Sequence, residues 1–231
     1  MIRAEHYLRR VVDGEIDALV SGGASAIAIE GAKAVGKSAT AAERAHEVFP
    51  LEESITRQIL EADPTRMLTG ATVLIDEWQR LPSTWDAVRR AVDAGARPGQ
   101  FFLTGSASAT VPGTHSGAGR ILKLHMRPMT LSERGIGDPT VSFAQILSGS
   151  RPPIEGTTAV DLPRYVAEIV NSGFPGIRPL DDRVRRAQLR GYIDRVIDRD
   201  IRDATGRAVR NAPALRRWLA AYAAATATTS S

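Results

Sequence analysis

Two short strings in this sequence combine residue types that handle phosphate. The first, Gly31-Ala32-Lys33-Ala34-Val35-Gly36-Lys37-Ser38, fits the pattern G-x-x-x-x-G-K-[ST] at every position. A turn of that kind aims successive backbone N–H groups, as far as that of Ala39, into one concavity at a helix start, where a polyphosphate is favoured. Gly31 and Gly36 permit the tight backbone. Lys37 is expected to reach the β- and γ-phosphates, and Ser38 to offer its hydroxyl to a bridging magnesium ion. The second string, Thr72-Val73-Leu74-Ile75-Asp76-Glu77, ends an apolar run in two acids. Asp76 is placed to hold the magnesium shell, and Glu77 to orient and deprotonate a water that attacks the γ-phosphate. Alone, each string has a plainer reading, a glycine turn that starts a helix or a strand that ends in carboxylates. Together, and with a water-activating glutamate beside the metal aspartate, they favour hydrolysis over phosphoryl transfer to a small molecule.

Three further residues are weaker candidates. Thr104 and Ser106 close the run Gln100-Phe101-Phe102-Leu103-Thr104-Gly105-Ser106, where a hydroxyl could sense the γ-phosphate or hold the water. The sequence does not choose between them, and a plain turn is the alternative. Arg120, after the glycine-rich stretch Val111 to Gly119, could supply positive charge to the transition state within the chain or across a subunit boundary, or simply anchor that loop. His115 and His125 lack a carboxylate or second histidine at a useful spacing and are read as neither metal ligands nor bases.

These groups need elements to position them. Ala26-Ile27-Ala28-Ile29 reads as a strand leading into the loop, and Ala39 to Ala45, continuing to about His46, as the helix leaving it. Strands are also expected at Val48 to Leu51, Thr72 to Ile75, Gln100 to Thr104 and Ile121 to Leu124. A helix is expected from His6 to Val20, stopped by Ser21-Gly22-Gly23, and another after Pro82-Ser83-Thr84 with Trp85, Val88 and Val92 on its apolar face. Trp78 and Trp85 read as packing residues. Beyond Pro128 the chain reads as mostly helical: Val141 to Leu147, Leu162 to Val170, a long helix from Asp181 to Asp203, and Ala214 to Ala225. On the long helix Arg190, Asp194, Asp198, Arg202, Arg199 and Asp203 fall at i,i+4 spacings of opposite charge. The expected architecture is α/β, a core of residues 1–130 with a five-stranded, mainly parallel sheet flanked by helices, then a mostly helical accessory region of residues 131–231.

Composition narrows the chemistry. The 231 residues contain no cysteine, which removes disulfides, thiolate metal sites and cysteine nucleophiles and agrees with a reducing compartment. The formal charge is +4, carried almost wholly by arginine, and permits a nucleic-acid or acidic partner without requiring one. No window approaches a membrane span and the N-terminus lacks an export layout, so the expectation is a cytoplasmic protein with no membrane contact.

The phosphate loop, Ile75-Asp76-Glu77-Trp78-Gln79, Leu103-Thr104-Gly105-Ser106, Gly119-Arg120, Met126-Arg127-Pro128-Met129-Thr130-Leu131-Ser132-Glu133 and Gly173-Phe174-Pro175 together resemble the bacterial and archaeal AAA+-superfamily P-loop ATPases that carry an uncharacterised C-terminal domain. The resemblance covers nearly the whole chain. It implies ATP and magnesium at the carboxyl edge of a parallel sheet, with Lys37, Ser38, Asp76, Glu77 and Arg120 in the roles above. Lys33 stands where the family often has arginine. Members usually continue a couple of hundred residues past the position of Ser231, so the chain looks like the ATPase half. Alongside an ATPase that changes conformation as it hydrolyses, the sequence leaves open a nucleotide-binding regulatory module with little hydrolysis, a homo-oligomer or protein partner, and a nucleic-acid module using the arginines of residues 178 to 217.

Overall fold

The computed structural model describes residues 7–106, 117–137, 141–226 and 228, leaving out the side chains of Ser106, Asp203 and Ala204. Five apolar runs form the strands β1 (Ala26–Gly31), β2 (Glu47–Pro50), β3 (Val73–Asp76), β4 (Phe101–Ser106) and β5 (Ile121–Met126). All neighbours are parallel, in the order β2-β3-β4-β1-β5. A parallel pair needs a crossover, which places helices on the sheet faces and makes its central strands apolar throughout. Accordingly Ile27, Ile29, Leu74, Ile75, Phe101, Phe102 and Leu103 are fully buried. This is the α/β fold of a P-loop core, followed by a helical region.

The helices before and between the strands are α1 (Val11–Ser21), α2 (Lys37–Ala42), α3 (Ser54–Ala62) and α4 (Ser83–Asp93). Ile16 of α1 packs with Ile27 and Ile29 of β1, Phe102 of β4, and Val35 and Ala41 of the loop and α2. Trp78 and Trp85 are both buried with ring centroids 4.5 Å apart, the packing role expected of them. Two boundaries differ from the periodicity. Helix α1 begins at Val11, because the Asp13 carboxylate accepts the Arg10 backbone N–H at 2.6 Å and fixes the start there. Helix α2 stops at Ala42, because the N–H groups of both His46 and Glu47 bond to the Thr72 carbonyl and draw the chain into β2.

After β5 come α5 (Phe143–Leu147) and α6 (Leu162–Asn171), the latter capped by Asp161. The first compact unit runs on to Pro179. It therefore takes in a segment that the sequence alone assigns to the accessory region: the Met129 N–H donates to the Gly173 carbonyl at 2.8 Å, tying the stretch after β5 to the turn after α6.

From Leu180 a second unit begins. The single long helix expected here is interrupted: α7 (Asp182–Arg195) passes through a π-helical turn, Val196–Asp200, into α8 (Ile201–Thr205). A π turn shifts the helix face, and Ile197 within it is fully buried. The last helix, α9 (Ala212–Ala224), is capped by Asn211. Asp194 is engaged by Arg216 of α9, and Arg202 by the carbonyl of Asp198. The expected Arg199–Asp203 pair lies outside the described side chains.

Candidate functional site

All five strands present their carboxyl ends at one edge, since Gly31 stands beside Ser106 and Met126 in register and Asp76 beside Thr104. The phosphate loop leaves β1 at that edge. Gly31 has φ 153°, and a Cβ there would come within 2.3 Å of the Met126 carbonyl oxygen, so the loop's first turn admits no side chain. Gly36, at φ 107°, makes the second turn, and Ala34 also takes a left-handed conformation. Helix α2 has only six residues, so its dipole is small and loop N–H groups with Lys37 must carry most of any anion binding. The Lys37 side chain is buried, and its ammonium donates to the carbonyls of Gly31 and Ala32 at 3.1 and 2.9 Å. Burial pulls its pKa below the usual value, aided by Lys33, while Glu77 and Asp76 oppose the fall.

Opposite the loop, one oxygen of Asp76 collects two hydroxyls. Ser38 donates to Oδ1 at 2.5 Å, and Thr104, fully buried on β4, donates to the same atom. The structure thus gives Thr104 a partner in the site, while the side chain of Ser106 lies outside the described residues. The set is all oxygen and small, and no group of three or more His, Cys, Asp or Glu among the described residues could hold a metal alone. Such a set suits magnesium, which keeps several waters and leans on substrate phosphates. Ser38 and Asp76 are the residues that fit that ion.

Glu77 follows in a left-handed conformation, φ 57° and ψ 47°, unusual for a non-glycine residue and costing about 1–3 kcal/mol. The bend turns the chain out of β3 into a short 3-10 turn, Trp78–Arg80. Its carboxylate accepts the Gln79 side-chain amide at 2.5 Å.

Beside the loop lies a cleft of about 580 Å³, walled by Leu8 before α1, by Gly36 and Ala39, and by Met129, Pro175 and Arg178 from beyond β5. Beyond Gly36 and Ala39 of the phosphate-binding string and the quoted strings that hold Met129 and Pro175, the sequence gave no sign of the residues that brace it. Arg10 is one: its guanidinium donates to the Val35 carbonyl in the loop at 2.9 Å, to the Arg127 carbonyl at 2.8 Å and to Glu133 at 3.0 Å. Burial raises the Glu133 pKa, but hydrogen bonds from the Thr130 and Val11 N–H groups and from Arg10 outweigh it and hold the carboxyl below the usual range. Glu168 is another. It is 2% exposed and joins Arg178, Arg134 and Arg164, and Arg178 with Arg134 also face the cleft. The Arg10 partners, 25 to 123 residues away, leave no periodic trace, whereas Arg164 and Glu168 stand at i,i+4 on one helix.

The Arg10–Glu133 pair is 4% and 6% exposed, and breaking a buried pair from one side typically costs about 3–5 kcal/mol. Arg10→Met is therefore expected to lower unfolding stability by about that much, read from the urea midpoint at constant slope.

Arg120 is placed elsewhere. Ile121, the first residue of β5, pairs with Ala26, the first of β1, so Arg120 lies at the amino end of the strands. Met126, beside Gly31 at the loop edge, is six residues further along the strand, roughly 20 Å at about 3.3 Å per residue, beyond the reach of one arginine. Its guanidinium, 40% exposed, binds Asp93 at the end of α4 at 2.5 Å. A catalytic role for Arg120 within its own chain is thereby corrected to an anchoring one. His125 is exposed, and His115 lies outside the described residues.

The loop, the acid strand and the intervening β4 are the parts that a family comparison can recognise. Residues 23–134 match the AAA domain family model. The matched AAA-domain segment spans all five strands and ends just after Glu133, the partner of Arg10. No curated protein matches the chain. Among solved structures, a Walker-type ATPase of Pyrococcus abyssi is similar at 14% identity and a TM-score of 0.42, over 96% of this chain and 79% of that one. No described helix is long and apolar enough to cross a membrane.

Proposed function

We propose that the chain binds ATP with magnesium at the carboxyl edge of its sheet and hydrolyses it, using the changed packing around the cleft as output. The observation that carries this reading is the convergence of Ser38 and Thr104 on one oxygen of Asp76, opposite a lysine seated in a glycine-bounded phosphate loop. The loop N–H groups from Ala32 to Ala39 and Lys37 hold the phosphates. Ser38 and Asp76 hold magnesium, which, when bound, offsets the charge developing on the phosphates. Thr104 fixes the Asp76 carboxylate, and Glu77 takes the proton of the attacking water. The cleft beside Gly36 and Ala39 has the size and the apolar and arginine lining to take the base and ribose. Among the arginines from 178 to 217, Arg178 is engaged by Glu168, Arg185 and Arg186 by Asp182, and Arg216 by Asp194, which suits a salt-bridged surface better than a nucleic-acid one.

The test is phosphate release from ATP by the full chain, with magnesium and with chelator, over a range of protein concentrations. Release that needs magnesium is the expected result. A rate per chain that rises with concentration would make Arg120 a residue lent to a neighbouring copy. Tight ATP binding without release would favour a regulatory nucleotide module, and no binding would overturn the reading.

A further inference from the structure

The cleft beside the phosphate loop is polar at few points, and most of these are already engaged. The Tyr7 hydroxyl donates to Asp13 at 2.6 Å and pairs with that of Thr40 at 2.9 Å. Arg10 is held by the Val35 and Arg127 carbonyls and by Glu133, and Arg134 by the Met129 carbonyl and by Glu168. Arg178, joined to Glu168, has only donors to offer. Asn171, the last residue of α6, differs from all of them. It is half-buried on the cleft wall, and its carboxamide bonds to no described residue. Among the described residues of that wall, it alone keeps both a donor and an acceptor unengaged. The backbone directly after it is strained: Ser172 has φ 69° and ψ 161°, a region that only glycine enters readily. Two hydrogen bonds hold the bend, from the Phe174 N–H to the Ser172 hydroxyl at 3.3 Å and from the Met129 N–H to the Gly173 carbonyl at 2.8 Å. Gly173 is packed so closely that a Cβ there would stand 2.8 Å from both Pro128 Cβ and the Arg134 guanidinium. The bend therefore ends α6 at Asn171, on the wall of the cleft.

We infer that Asn171 is the residue that reads the nucleotide base: its amide oxygen accepts a hydrogen of the adenine amino group, and its amide nitrogen donates to the neighbouring ring nitrogen. This rests on the ATPase reading above, which seats the base in this cleft. A carboxamide presents an acceptor and a donor side by side, the complement of the amine and ring nitrogen on the adenine edge. The arginines of the wall hold no acceptor for an amine. A carboxamide can also turn end for end, so it fits the oxygen and ring N–H of guanine as well. What it selects against is a purine without the exocyclic group, which leaves the amide oxygen facing a C–H.

The experiment measures, by calorimetric titration with magnesium, how wild type, Asn171→Leu and Asn171→Ala bind ATP and purine riboside triphosphate, which differs from ATP only in lacking the amino group. Wild type is expected to bind ATP about tenfold more tightly than the analogue, the effect of one lost base-edge contact. In both variants ATP loses more affinity than the analogue does, so that the two nucleotides bind within about twofold of each other. A side chain that only shapes the wall would weaken both nucleotides by the same factor and keep the wild-type ratio, and that result would overturn the inference. So would a wild-type chain that binds the two nucleotides alike. In either case ATP still binds, and the ATPase reading stands. A wild-type chain that binds neither nucleotide would overturn the ATPase reading and this inference together.

Discussion

Lys37→Met is expected to weaken ATP binding at least about 100-fold while leaving the empty protein as stable as before or slightly more so. Both halves follow from where the ammonium sits. Hydrogen bonds to a charged partner contribute about 1.5–3 kcal/mol each, and under the proposed ATPase function Lys37 engages two phosphates. Losing both therefore removes at least the 2.7 kcal/mol or so that a hundredfold in affinity represents. In the empty protein the same ammonium is buried, donating to the Gly31 and Ala32 carbonyls, with its pKa drawn down by that burial. Methionine matches the length of the stem and carries no charge to desolvate. Calorimetric titration and thermal melts measure the two halves independently. A variant that binds ATP as wild type does would remove Lys37 from the site.

Glu77→Gln is expected to cut turnover by roughly 10²–10⁴-fold, the usual contribution of a positioned base, with ATP affinity kept within about twofold. Glutamine keeps the shape and the left-handed backbone of residue 77 but cannot take a proton. It also faces the Gln79 amide nitrogen with a weaker acceptor than a carboxylate. Single-turnover phosphate release against equilibrium binding separates the two effects. Equal losses in both would mean that Glu77 serves binding, and unaltered release would move the base elsewhere.

The parts of this site that could be read from the sequence were those whose logic is local. Gly31 to Ser38 needs left-handed turns at fixed offsets, and Ile75-Asp76-Glu77 needs an apolar strand ending in acids; neither depends on distant residues. Sheet class followed in the same way, because strands buried on both faces are apolar throughout, as Phe101-Phe102-Leu103 is. Arg10 and Glu133 were invisible as site residues because their pairing spans most of the unit and assembles only once the chain has folded, whereas the Arg164–Glu168 pair is local but gives no hint that Arg134 and Arg178 join it. Arg120 failed for a related reason. Position next to a strand in sequence does not say which end of the sheet it occupies, and parallel pairing put it at the end away from the loop.

The strand order sets a length as well as a topology. Strand β4 lies between β1, which carries the phosphate loop, and β3, which carries the acids. Neighbouring strands are about 4.8 Å apart, so loop and acids start from backbones separated by roughly twice that. Under the proposed ATPase function, β1 and β3 side by side would bring the Glu77 carboxylate against the phosphate itself. One strand further off, the gap would take a cation and a water molecule. β4 is thus a ruler of molecular width, and Thr104 is the mark on it, its hydroxyl steadying the Asp76 carboxylate across the gap between two strands.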